Sequence, residues 1–76
     1  MMMEIQRIGE NAGKVWHMLN EKKELPILEL SRYIGVSYEE TMLAVGWLAR
    51  ENKICLHRRN GELFVTSMNH YDFSFG

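Results

Sequence analysis

Ile5, Ile8, Ala12, Val15, Trp16 and Leu19 recur at steps of three and four, the period of one buried helix face. The spacing predicts a first helix over about residues 4–22. Gly9 and Gly13 lie beside that stripe, and each costs about 1 kcal/mol relative to alanine in a helix interior. Either the helix begins later, with Asn11 as its cap, or the glycines admit the close approach of another backbone. Their GxxxG spacing is no membrane signal, because charged residues surround it.

After the polar run 20–24 comes Leu25-Pro26-Ile27. Proline lacks an amide hydrogen, so Pro26 suits an edge strand or a helix entry. Leu30 and Ile34 give a short second helix its core face. Gly35 follows where a helix C-terminus needs a residue tolerant of positive φ. Ser37-Tyr38-Glu39-Glu40 matches a capping box: the serine hydroxyl accepts from an amide of the first turn, and Glu40 can reach back to the amide of Ser37. The third helix is expected from Tyr38 to Glu51, with Met42, Val45, Leu48 and Ala49 packed against the first two.

From Lys53 the pattern changes to a period of two. Ile54, Leu56 and Arg58 alternate with Cys55, His57 and Arg59. Asn60-Gly61 then predicts a type I′ hairpin turn, since both residues tolerate positive φ. Residues 63–66 supply the returning strand. A helix, a short strand, a helix-turn-helix and a two-stranded hairpin make an α+β winged helix-turn-helix: three helices with a small antiparallel sheet. The domain is placed at residues 1–66. Residues 67–76 form an aromatic tail, either docked or flexible.

The chain resembles the small stand-alone winged helix-turn-helix proteins of bacteria, a group of uncharacterised role. The resemblance covers about residues 5–66 and rests on IGENAGKVWHMLN, LELSRYIGVSYEE and GWLARENKI followed by a hairpin. Leu48, Asn52 and Ile54 match the passage from third helix to wing seen in winged-helix regulators generally, with Asn52 where a glycine is usual and the left-handed conformation is expected. The resemblance implies DNA binding, with the third helix in the major groove and the wing on the backbone or in the minor groove.

The chemistry of the third helix argues against that use. Opposite its packed face lie Glu39, Glu40, Leu43, Gly46, Trp47 and Arg50. Groove reading favours Arg, Lys, Asn, Gln, Ser or Thr, and phosphates repel glutamates. Leu43 and Trp47, four residues apart, form an apolar patch of the kind that marks an interaction surface. Trp47 either binds another chain or packs within its own, against the wing or the tail. Tyr71, Phe73 and Phe75 of the tail add a strand to the domain, cross to a partner, or stay disordered.

The wing argues the other way. Lys53, Arg58 and Arg59 stand against Glu62 alone, with His57 able to add charge, and two arginines beside a tight turn suit phosphates.

The whole chain carries nine basic and ten acidic residues among 76, so any nucleic-acid site is local rather than a property of the overall field. Cys55, the one cysteine, is expected reduced and packed, with an intermolecular disulfide as the alternative. No signal peptide or membrane span is evident, and the chain reads as cytoplasmic. No catalytic or metal-binding constellation emerges, and neither a cofactor nor a small-molecule substrate is expected.

Two readings stay open. In the first, the domain is a DNA-binding or transcription-regulatory module, with Lys53, His57, Arg58 and Arg59 on phosphates and Tyr38 and Thr41 near the groove. DNA binding would then be weak. In the second, Leu43, Trp47 and the tail aromatics Tyr71, Phe73 and Phe75 form a homodimer or protein-docking surface that does not read DNA.

Overall fold

The computed structural model describes residues 2–68. Helix α1 (Met2–Lys22) runs unbroken through both glycines. No heavy atom lies within 4 Å of a Cβ built at Gly9 or Gly13, so no backbone approaches them. The alternative start at Asn11 is likewise overturned: Asn11 is a buried mid-helix residue, not a cap.

Strand β1 (Glu24–Pro26) leads directly into helix α2 (Ile27–Ile34), so Pro26 fills both expected roles. It ends the edge strand opposite Phe64, and at φ −67° it enters the helix without needing an amide hydrogen. Gly35 closes α2 in the left-handed region, its N–H donating to the carbonyl of Ser31.

Helix α3 (Tyr38–Arg50) starts at Ser37, whose hydroxyl accepts from the amide of Glu40 at 3.1 Å. The capping box is half formed. The Glu40 carboxylate turns away to Arg7 of α1, 3.0 Å from its Nε. The charged partner outcompetes a neutral amide. Ser37→Ala should cost about 1 kcal/mol of unfolding free energy by removing this cap, which urea titration followed by circular dichroism would measure.

The turn from α3 into the wing uses Asn52 at φ 62°, in the left-handed conformation expected there. Strands β2 (Ile54–Arg59) and β3 (Glu62–Ser67) are joined by Asn60 and Gly61, at φ 53° and 82°. The last strand ends one residue beyond the expected boundary. The sheet order is β1-β3-β2, antiparallel throughout.

One core joins the layers. Val15 and Leu19 of α1, Leu30 of α2, Val45 of α3 and Val65 of β3 are fully buried in it. The packed face of α3 is Thr41, Ala44, Val45 and Leu48. The helix is therefore rotated from the expected setting: Met42 is exposed, and Thr41 takes the inward place.

Candidate functional site

Rotation of α3 decides what the domain presents. Its outward surface carries Met42, Leu43 and Trp47, exposed at 36%, 52% and 42%, around the bare backbone of Gly46. Glu39 and Arg50 stand at the two ends of this surface and make no ion pair with another described residue. Trp47 thus lies open to solvent rather than folded under the wing. Thr41 leaves the set of groove-facing residues: it is 0% exposed, and its hydroxyl donates to the Ser37 carbonyl at 2.8 Å. Tyr38 is exposed as expected.

On the wing side, Tyr38 and Met42 border a groove of about 420 Å³ with Leu28, Leu63 and Arg58. Arg58 is the wing arginine without an ion pair among the described residues, and its guanidinium donates to the Gly61 carbonyl at 3.2 Å. On the α1 side, Leu43 and Glu40 border a cleft of about 310 Å³ with Arg7, Ile8 and Asn11. Asn11 is 4% exposed, and its carboxamide makes no hydrogen bond to a described side chain or backbone group. An unpaired buried amide is costly. Asn11→Leu should therefore raise unfolding free energy by about 1 kcal/mol, read from the shift in urea midpoint. An unchanged or lower midpoint would mean that the amide is already satisfied, for example by water.

The outer face of the sheet holds what the sequence does not announce. Glu24, on β1, receives three groups on one carboxylate oxygen. His57 Nε2 lies 2.8 Å from it, Arg59 Nη2 donates to it at 3.1 Å, and the Thr66 hydroxyl donates at 3.2 Å. Phe64 underlies the cluster, stacked against His57 and 4.5 Å from the Arg59 guanidinium carbon. Arg58 and Arg59, adjacent in a strand, point to opposite faces, so they form no shared clamp for one phosphate. Two of the expected phosphate ligands, His57 and Arg59, already face an internal acid. Lys53 lies over the Trp16 ring, 5.6 Å from its centroid.

Partial desolvation raises the pKa of Glu24, but the hydrogen bond from Thr66 and the charge of Arg59 outweigh it, and the net shift is downward from 4.5. The ionised network therefore stabilises the fold above that pH, and the contribution is lost as pH falls through the lower folded value. Glu24→Gln should lower stability slightly at neutral pH, where the ionised network is lost, and flatten the acid limb of the profile, the two proteins converging as pH falls through the lowered Glu24 value. Thermal melts from pH 2.5 to 7 would show it, with an unaltered acid limb as the contrary result.

Tyr71, Phe73 and Phe75 lie outside the described residues. Cys55 is a free, half-buried thiol donating to the Met68 thioether. Among the described residues, no cluster of three or more His, Cys, Asp or Glu side chains is placed to hold a metal. No described helix is long and apolar enough to cross a membrane.

The family model described as a winged helix-turn-helix domain, DUF2582, matches residues 2–67. This chain belongs to that family. Its DUF2582 fold is also that of protein BT2368 from Bacteroides thetaiotaomicron, whose solution NMR structure it matches with a TM-score of 0.83 and 54% identity. The match covers 93% of this chain and 87% of that one. An archaeal chain, the uncharacterized protein MJ1608 of Methanocaldococcus jannaschii, is 44% identical over 50 residues. That alignment spans 63% of this chain and 71% of MJ1608. Sequence similar to this chain thus occurs in an archaeon as well as in Bacteroides. The winged helix-turn-helix is ordinarily a binding fold rather than a catalytic one.

Sequence reasoning missed Glu24, Met42 and Asn11. An acid at the start of an edge strand can reach across the sheet, but its ion-pair partners lie 33 and 35 positions away, and only strand order brings them together. For Met42 a signal existed: Thr41, Ala44, Val45 and Leu48 also fit a helical stripe. Hydrophobicity alone favours the stripe with Met42 inside.

Proposed function

We propose that this winged helix is a protein-docking module that uses the outer face of α3 as its contact surface and does not read base edges. The observation carrying this reading is the exposed patch of Met42, Leu43 and Trp47 about Gly46. Large apolar side chains clustered in the open favour a protein surface, and tryptophan in such a patch is a typical energetic anchor. Base edges offer hydrogen-bond donors and acceptors, and this patch has nothing to exchange with them except at its charged ends. Glu39, without an ion-pair partner among the described residues, sets negative charge at the end of α3 that would meet phosphates, whereas Glu40 is already paired with Arg7.

Arg58 favours a second reading, DNA contact through the wing, because it is exposed beside the turn without an acidic partner. One unpaired arginine, with Lys53 just beyond the far end of the same strand over Trp16, supports only shallow, non-specific binding.

Fluorescence anisotropy with labelled mixed-sequence duplexes separates the two. Binding no tighter than about 10⁻⁶ M at physiological salt is expected, the non-specific range. It should weaken with Arg58→Ala and be indifferent to Leu43→Ala. A duplex sequence bound at about 10⁻⁸ M or tighter, with that affinity lost on replacing Met42, Leu43 or Trp47, would overturn the docking reading.

A further inference from the structure

The outermost line of α3 reads Glu39, Leu43, Gly46 and Arg50, at steps of four, three and four. Such spacing keeps all four positions on one stripe, the seam along which two helices pack at a shallow angle. Met42 flanks the stripe on the wing side and Trp47 on the α1 side.

The stripe is complementary to itself when turned end for end. A half-turn about an axis passing between residues 44 and 45 sets Glu39 level with Arg50 and Leu43 level with Gly46 across the seam, and brings Met42 beside the partner's Met42 on one flank and Trp47 beside the partner's Trp47 on the other. Acid meets base at each end, and a large side chain meets the open space over a glycine near the centre. Nothing lies within 4 Å of a Cβ placed on Gly46, so that space is free to receive a leucine. Glu39 and Arg50 are also left without ion-pair partners among the described residues.

We propose that the occupant of this face is a second copy of the same chain, with the two α3 helices antiparallel across a two-fold axis. The proposal rests on the docking reading above and names its partner. A closed two-fold contact requires the same patch on both subunits to match itself, and this patch does so in charge and in bulk together. The parallel alignment sets Glu39 against Glu39 and Arg50 against Arg50, so like charges oppose it. Mutual cover of Met42, Leu43 and Trp47 supplies the attraction, and the end charges select the register. Ile8, beside Leu43 in the cleft on the α1 side, extends the apolar surface at the rim.

Sedimentation equilibrium of the full chain over a range of concentrations tests this, using wild type, Glu39→Arg, Arg50→Glu and an equimolar mixture of the two variants. Circular dichroism controls for folding. The wild type is expected to dimerise. Each variant alone should dimerise at least about tenfold more weakly, because the two-fold doubles every like-charge contact. The mixture should recover dimers, since one chain then offers two bases on the stripe and the other two acids. That recovery cannot arise from a change in folding.

A wild type that is monomeric at every concentration overturns the second copy as partner. A dimer indifferent to both single substitutions overturns the antiparallel register while leaving the docking reading in place. The docking reading itself is tested separately, by the duplex titration above.

Discussion

Leu30→Ala is expected to leave most of the chain unfolded at physiological temperature. Leu30 is fully buried on α2, the short helix that must bind α1, α3 and the sheet at once. Truncating such a leucine costs about 2–5 kcal/mol, the transfer of the lost methyl groups plus the cavity left behind. An eight-residue helix has little stability of its own. Tertiary packing holds it in place, so the loss falls on the whole fold. Small domains sit near the lower end of the usual 5–15 kcal/mol, and a penalty of this size consumes most of that margin. Thermal and urea unfolding followed by circular dichroism would show it. A loss below about 1 kcal/mol would mean that α2 is dispensable to the core.

Local chemistry made much of this fold legible. The hairpin could be placed because Asn60 and Gly61 are side by side, and both adopt positive φ. Gly35 and Ser37 could be placed because a C-terminal left-handed residue and an N-terminal hydroxyl act within a few positions of themselves. Asn52 was readable for the same reason. Less legible was anything decided by a choice between neighbouring helical faces or by long-range pairing. Thr41 and Met42 differ by one position, about 100° around the helix. The buried hydroxyl is tolerable only because the Ser37 carbonyl lies one turn back to receive it. Hydrophobicity favours methionine inside; satisfied hydrogen bonding and fit allow threonine there instead.

The wing shows the same limit from the electrostatic side. His57, Arg58 and Arg59 read as a basic cluster along the chain, yet the β1-β3-β2 order brings Glu24 against two of them. Strand alternation sends the third to the opposite face. Charge counted by segment overstates what the surface offers when an acid from another segment completes it. Unpaired Arg58 is what remains of the expected phosphate site, together with Lys53 over Trp16.

Trp47→Ala is expected to separate folding from association. The side chain is substantially exposed, and the core beneath it is made by Ala44, Val45 and Leu48. Its removal should therefore change unfolding free energy by about 0.5 kcal/mol or less. On the outer face of α3, by contrast, the indole is the largest apolar group, and truncating a buried interfacial tryptophan commonly costs 2 kcal/mol or more, roughly a thirtyfold loss of affinity. Light scattering behind a sizing column, at low and high salt, would read the effect directly. Association should persist at high salt in the wild type, because apolar contact is not screened, and it should be lost at both salts in the variant. If Trp47→Ala instead lowers the melting temperature and spares association, the indole belongs to the packing of its own subunit. The face of α3 would then be left with Met42 and Leu43, too little apolar surface to hold a partner without a contribution from α1.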